Sequence, residues 1–96
     1  MVRVNLNHWF IEDNCLKIAL INMYASINII NDDNSILFRV NVIDSQSYIR
    51  ELYFDFYSLE KAISFVENTI SVCWNLDEVT IKYNEYCDKY GKVYKK

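Results

Sequence analysis

The side chains that could do chemistry in this 96-residue chain are few and widely spaced. His8 is the only histidine, and the three cysteines, Cys15, Cys73 and Cys87, have no C-x-x-C spacing. Nucleophilic catalysis with a histidine base would have to use His8, but its place beside Trp9 in an alternating apolar segment favours a packed histidine. Zinc ligands usually come in closely spaced pairs. The residue types therefore predict no metal site and no cofactor.

Other catalytic arrangements are also missing from the sequence. Because Gly91 is the only glycine, the glycine-rich loops that bind phosphates or dinucleotides are excluded. Glu51 and Asp55 are two carboxylates on one predicted strand face with Tyr53, but acid–base catalysis also needs a pocket around them. A solvated sheet face explains these residues more simply. We therefore expect a protein that is not an enzyme.

Acidic residues at the predicted turns are a more informative feature. Asp is common in turns because its side chain bonds to the nearby backbone, so placement alone has a structural explanation. The functional hypothesis is that the acidic turns bind a basic groove on a partner. If the strands are consecutive, the Glu12–Asp13 turn and Asp44 lie at one end of the sheet, and Asp32–Asp33 at the other. Tyr53 adds exposed aromatic surface of a kind favoured in interfaces. The candidate partner-binding residues are Glu12, Asp13, Asp32, Asp33, Asp44 and Tyr53.

Alternation of apolar and polar residues predicts strands over residues 2–11, 36–43 and 48–57. In the first of these, the aliphatic residues have even numbers and share one face with Phe10. Residues 15–30 fit several structures: one strand with a bulge that resets the alternation, two short strands, or part of a helix that covers residues 9–24.

Apolar residues three and four apart predict two helices near the C-terminus. The first covers residues 59–71, with Ser58 as its N-cap. The second covers residues 76–90, begins at a capping-box spacing and ends before the glycine. Strands followed by helices define an α+β protein. We expect one domain over residues 1–96, with an antiparallel meander sheet of three or four strands followed by two helices packed on one face.

Composition and charge narrow the range of source genomes, cellular locations and binding partners. Phe, Tyr, Met, Ile, Asn and Lys, whose codons are AT-rich, supply 45 of the 96 residues, which indicates an AT-rich genome. No apolar segment is long enough to span a membrane, no signal peptide is visible, and an odd number of cysteines indicates a reducing, cytoplasmic setting. Residues 1–80 carry a net charge of −6 and residues 81–96 carry +3. The acidic body argues against direct nucleic-acid binding.

Three segments carry a resemblance to a known kind of protein: "LFRVNV" (37–42), "SLEKAISFVENTI" (58–70) and "NLDEVTIKYNEYC" (75–87). With the small size, the acidity and the order of sheet then helices, they resemble the phage-encoded anti-CRISPR proteins. The resemblance implies a stoichiometric inhibitor that occupies the basic site where a nuclease effector reads DNA. The modest net charge and basic end differ from a pure DNA mimic, which leaves a hydrophobic or mixed contact equally open.

The leading hypothesis is a small non-enzymatic binding protein, encoded by a phage or mobile element and acting in the cytoplasm of an infected or host bacterial cell. It would inhibit a host defence or nucleic-acid-processing protein by occluding its surface. One alternative is a structural or assembly protein that forms a homodimer or larger homo-oligomer. Another is a single-stranded nucleic-acid-binding module that uses the lysine-rich end with Tyr86, Tyr90 and Tyr94 for stacking.

Overall fold

A computed structural model of the chain describes residues 9–20, 23–33, 35–44 and 50–90. In these residues five strands come first: β1 (Phe10–Glu12), β2 (Cys15–Ala19), β3 (Met23–Asp32), β4 (Ser35–Asp44) and β5 (Glu51–Phe56). The helices follow: α1 (Leu59–Asn68), a 3-10 turn (Ile70–Val72) and α2 (Leu76–Tyr90). The sheet order is β1-β2-β3-β4-β5, and all neighbours are antiparallel. The predicted α+β class and meander are confirmed, with five described strands where three or four were expected.

The extra strand comes from the segment whose structure the sequence left open. Residues 15–30 form β2 and most of β3, which pair from Leu16↔Ile27 to Ala19↔Tyr24. The interpretation as two strands is confirmed, and the competing helix over residues 9–24 is wrong. Ile18 and Ala25 are cross-strand partners in this pair and are both buried on one face of the sheet.

Part of the first predicted strand lies outside the described residues, and so do His8, Gly91 and residues 45–49. The described part contradicts the expected shared face. Trp9 is buried and Phe10 is 50% exposed, so the odd-numbered side chain points to the core. Trp9 also donates a hydrogen bond from Nε1 to Glu67 on α1 at 2.7 Å. This bond and the burial of the indole fix which face of β1 packs against the helices.

Asp and Asn close the two described hairpins without glycine or proline. Asp13 and Asn14, between β1 and β2, have φ of 55° and 64°, and Asp33, between β3 and β4, has φ of 52°. Two-residue hairpin loops need left-handed backbone to match the twist of the strands. Asn and Asp tolerate this region better than other non-glycine residues. The turn chemistry predicted from sequence is therefore present.

The core lies between one face of the sheet and the two helices. Val40 and Val42 of β4 and Phe56 of β5 have no exposed surface, and neither do Ala62 and Val66 of α1. The strand–helix corner predicted from the change of period at residue 58 is confirmed. An aromatic cluster packs between the sheet and the helices at this corner. Its rings, with centres 4.9 to 6.5 Å apart, belong to Phe54, Phe56, Phe65, Tyr83 and Tyr86.

Local side-chain bonds set the helix limits. Ser58 accepts a hydrogen bond from the Lys61 backbone N–H at 3.3 Å, so the predicted N-cap is confirmed. The first helix is shorter than the expected 59–71, because its last turn tightens into the 3-10 turn. Asn75 accepts from the Glu78 N–H at 2.9 Å, and Glu78 accepts from the Trp74 N–H at 2.8 Å. In the described part of the chain, no helix has the length and apolar composition needed to cross a membrane.

Candidate partner-binding surface

The sheet face opposite the helices, called the open face here, carries a mixed set of aromatic, charged and amide side chains. Its members follow from the strand register, because side chains alternate between faces and cross-strand partners share one. The polar, charged and aromatic residues that carry the argument on this face are Phe10, Glu12, Lys17, Tyr24, Ser26, Arg39, Asn41, Glu51, Tyr53 and Asp55, and the same register also places Cys15, Ala19, Asn28, Ile30, Leu37 and Ile43 on it. Phe10, Tyr24 and Tyr53 are 50%, 41% and 56% exposed. Aromatic residues and arginine are the side chains enriched in binding hot spots.

Four of these side chains form a connected group, called the Tyr53 cluster: Arg39, Glu51, Tyr53 and Asp55. Arg39 and Asp55 are cross-strand partners, and the guanidinium donates two hydrogen bonds to the carboxylate, at 2.8 and 3.1 Å. The central carbon of the Arg39 guanidinium also lies 5.6 Å from the centre of the Tyr53 ring. Tyr53 Oη donates to Glu51 at 3.1 Å. Two neighbouring side chains therefore orient the exposed Tyr53 ring.

The Tyr53 phenol is protonated at neutral pH, like any tyrosine, and its neighbours further favour the protonated form. The hydrogen bond to Glu51 and the negative charge of that carboxylate raise the pKa of Tyr53, and the nearby Arg39 opposes this more weakly. The ring therefore presents a flat apolar face with a donating hydroxyl already held in place. A side chain ordered before binding loses less conformational entropy when a partner covers it. This arrangement suits recognition of another surface.

A groove with a volume of about 300 Å³ crosses the open face beside the Tyr53 cluster. Phe10, Lys17, Tyr24 and Asn41 are among the residues that line it. The Asn41 Oδ1 atom is buried, and no described residue donates a hydrogen bond to it. An unpaired buried acceptor costs stability that a donor from a bound molecule would recover.

The acidic turn between β1 and β2 is partly neutralised by the open face. Lys17 Nζ lies 2.9 Å from Glu12 and 3.7 Å from Asp13. The hydrogen bond with Glu12 raises the pKa of Lys17, which favours the charged ammonium. Both carboxylates are exposed. This turn therefore presents about one net negative charge instead of two.

The predicted distribution of acidic turns between the ends of the sheet is wrong. Because residues 15–30 contain an additional turn, the Glu12–Asp13 turn and Asp33 lie at the same end of the sheet, and Asp44 lies at the opposite end. Asp32 ends β3 on the shared end, and only its backbone is described. Two acidic turns therefore converge at one end. Tyr53 lies on the edge strand β5, paired with Asn41 and between the two ends of the strands.

Sequence reasoning missed two exposed features. Arg39 is the centre of the Tyr53 cluster, and its only sequence signal was its alternation with apolar residues in "LFRVNV". Trp74, in the connection between the 3-10 turn and α2, is 76% exposed. Its signal was the break in the helical pattern at "CWN".

Reactive groups elsewhere in the described chain are buried or dispersed. Burial raises the pKa of the Cys73 thiol, which disfavours the nucleophilic thiolate. Burial also raises the pKa of Tyr83 and of Tyr86. No three His, Cys, Asp or Glu side chains in the described part of the chain come together as a metal site. Comparison of the chain with protein-family models, curated proteins and solved structures finds no match.

Proposed function

We propose that this chain is a non-enzymatic binding protein that inhibits a host defence or nucleic-acid-processing protein, such as a CRISPR effector, by occluding its surface. The observation that supports the proposal most directly is the Tyr53 cluster, because it is an exposed aromatic–arginine group ordered by its own neighbours. Phage or mobile-element origin and a cytoplasmic location belong to the same proposal. They are supported by the AT-rich composition and by the free thiols of Cys15, Cys73 and Cys87.

The proposed contact surface combines the open face with the acidic end of the sheet. Tyr53 would be the central anchor. Asp13 and Asp33, which lie at the shared end, would face basic side chains of the partner. Unlike charges across an interface accelerate association and fix its orientation. A partner with a basic nucleic-acid-binding surface would supply the basic side chains opposite Asp13 and Asp33.

Pull-down from a bacterial lysate tests the proposal, with Tyr53→Leu and Tyr90→Leu as a matched pair. The two rings are 56% and 58% exposed, and Tyr90 lies on the helical side of the protein. One stoichiometric protein should be retained by the wild type and by Tyr90→Leu. A central aromatic anchor typically supplies about 2 kcal/mol, so Tyr53→Leu should weaken binding by roughly 30-fold. Equal retention by both variants would remove the open face from the proposal.

The acidic end is tested by removing charge without changing the turn backbone. Asn tolerates the left-handed conformation of Asp13 and Asp33, so Asp13→Asn with Asp33→Asn isolates the electrostatic effect. Slower association that depends less on salt is expected. Asp44→Asn, at the opposite end, is the control. An unchanged association rate would show that the acidic turns have only a structural role.

Inhibition must also be stoichiometric. The activity of the captured protein should fall linearly with added chain and reach its minimum at a fixed molar ratio. Full activity in a tenfold excess of the chain would show binding without inhibition, and the inhibitor proposal would then be abandoned.

Self-association is the second candidate function, and one observation favours it. Ile11, Ile29 and Ile36 are 77%, 66% and 56% exposed, and all lie on the helix-facing side of the sheet near its acidic end. A specific interface buries at least about 1,000 Å², so these isoleucines would be only part of one. Light scattering should give twice the chain mass of 11.5 kDa if they mediate a dimer. The Ile29→Ser variant should then be monomeric.

A further inference from the structure

A groove between the two helices, called the interhelix groove, lies on the side of the protein away from the open face. Its volume is about 340 Å³, within the usual range for small-ligand pockets. Lys61, Ser64 and Asn68 line it from α1, and Tyr86 and Tyr90 line it from α2. Residues three and four apart share a helix face, so each helix contributes one wall. The proposed function makes no use of this groove.

The α2 wall is a pair of tyrosine rings. The ring centres of Tyr86 and Tyr90 are 4.8 Å apart, with an angle of 44° between the ring planes. Tyr86 is half-buried against the aromatic cluster, and Tyr90 is 58% exposed. One ring is therefore fixed by packing, and the other presents accessible aromatic surface at the mouth of the groove.

Two lysines meet at the Tyr90 ring. Lys61 Nζ lies 5.5 Å and Lys89 Nζ lies 5.3 Å from the ring centre. Among the described residues, neither ammonium group has a carboxylate within 4.0 Å, whereas Lys17, Arg39, Arg50 and Lys82 each do. The mouth of the groove therefore carries positive charge that no described carboxylate pairs with directly. The sequence adds Lys92, Lys95 and Lys96 directly after α2.

The α1 wall supplies hydrogen-bonding groups. Asn68 Nδ2 donates to Ser64 Oγ at 3.0 Å. This leaves the Asn68 carbonyl oxygen as an acceptor and the Ser64 hydroxyl as a donor, with no other partner for either among the described residues. A cationic ligand would be repelled by the two lysines, and a purely aliphatic ligand would leave these polar groups unpaired. The groove therefore suits a ligand that combines a flat ring, polar ring edges and a negative charge.

We propose that the interhelix groove binds single-stranded nucleic acid. One base stacks on the exposed Tyr90 ring beside Tyr86, with its edge toward Ser64 and Asn68. It takes the place of the Lys61 and Lys89 ammonium groups, which pair with the adjoining phosphate. Aromatic stacking combined with backbone-tracking cations is the general mode of single-strand binding. The acidic body of the chain disfavours this binding elsewhere, and among the described lysines Lys61 and Lys89 lack acidic partners within 4.0 Å. The inference is independent of the proposed inhibitor function, because the two surfaces lie on opposite sides of the sheet.

Fluorescence anisotropy with a labelled twelve-nucleotide oligo-dT tests the proposal, at two salt concentrations. The wild type should bind, and Tyr90→Leu should weaken binding by roughly 5- to 150-fold, the range measured for loss of one stacking contact. The matched control Tyr53→Leu should bind like the wild type. Lys61→Gln with Lys89→Gln should weaken binding and lower its salt dependence by roughly two charges. The control for charge is Lys17→Gln with Lys82→Gln.

Several results would overturn the proposal. One is the absence of an anisotropy change for the wild type at low salt. Another is loss of binding on deletion of residues 92–96 while Tyr90→Leu binds normally, which would place the site in the lysine-rich end. Displacement by free AMP at the affinity of the oligonucleotide would identify a nucleotide site instead of a strand site. Circular dichroism of each variant must match the wild type for these comparisons to count.

Discussion

The hydroxyl of Tyr83 offers a direct test of how the helices hold the sheet. Tyr83 Oη donates a hydrogen bond to the backbone carbonyl oxygen of Asp55 at 2.8 Å, which joins α2 to β5. The Tyr83 ring also packs against Phe54 and Phe56, with centres 4.9 and 5.5 Å away. Tyr83→Phe removes the hydroxyl and keeps the ring, so it isolates the hydrogen bond from the packing.

The expected loss of stability follows from the burial of this bond. A typical hydrogen bond contributes a net ~1 kcal/mol, and a carbonyl left without its donor adds part of a desolvation cost. Because Tyr83 is only partly buried, we expect a total loss of about 1–2 kcal/mol. For a domain of this size, that lowers Tm by about 4–16 °C. Tyr53→Phe removes a hydroxyl bond of similar length on the exposed face and should leave Tm nearly unchanged.

The pH dependence of the stability difference between the wild type and Tyr83→Phe is a stricter test. Burial, with smaller contributions from Cys87 and Asp55, raises the pKa of Tyr83 far above its usual value near 10. The folded state therefore keeps the phenol proton at pH values where the unfolded chain releases it. Below pH 10 the stabilisation is fully present. Above pH 10 it falls by about 1.4 kcal/mol per pH unit until the folded pKa is reached.

Urea denaturation of both proteins from pH 7 to pH 11.5 measures this effect. The wild type should be more stable than Tyr83→Phe by about 1–2 kcal/mol at pH 7, and the two free energies of unfolding should converge near pH 11. Contributions from Tyr86 and Tyr53 are present in both proteins and cancel. If the free energies of unfolding of the two proteins change in parallel with pH, or are equal at pH 7, the Tyr83 phenol does not form a stabilising buried hydrogen bond.

Three further outcomes are expected. Ser58→Ala removes the N-cap bond to Lys61 and should lower the free energy of unfolding by about 1 kcal/mol in urea, whereas Ser58→Asp should keep most of it. Ile70→Val should lower the free energy of unfolding by about 0.5–1.5 kcal/mol, because Ile70 is fully buried. The control Val72→Ala, at a site 70% exposed, should lower it much less. Cys73, buried and with a raised pKa, should resist iodoacetamide at pH 7.5 in the folded protein and react in urea, as mass spectrometry of its peptide would show. Rapid alkylation in the native protein would contradict that burial.

The candidate site was predictable only in part. The exposure of Tyr53 was predictable, because successive residues of a strand point to opposite faces and its neighbour Phe54 faces the core. Its contact with Arg39 did not follow, since the register of β4 against β5 is not contained in the pattern of either strand alone. The position of the acidic turns depended on the number of strands before them. One additional turn after β2 moved Asp33 to the end occupied by Asp13.

The sequence by itself determined the elements whose apolar period is local: β4, β5, α1 and α2. Their burial patterns repeat every two or every three to four residues, and the side-chain caps that start the helices are short-range. The tertiary structure alone decided which surfaces exist. Tyr90 and Lys61 are distant in sequence and meet because α1 and α2 pack side by side, and Arg39 reaches Asp55 because two strands align in one register. Long-range packing decides such contacts, and local propensity carries no signal for them.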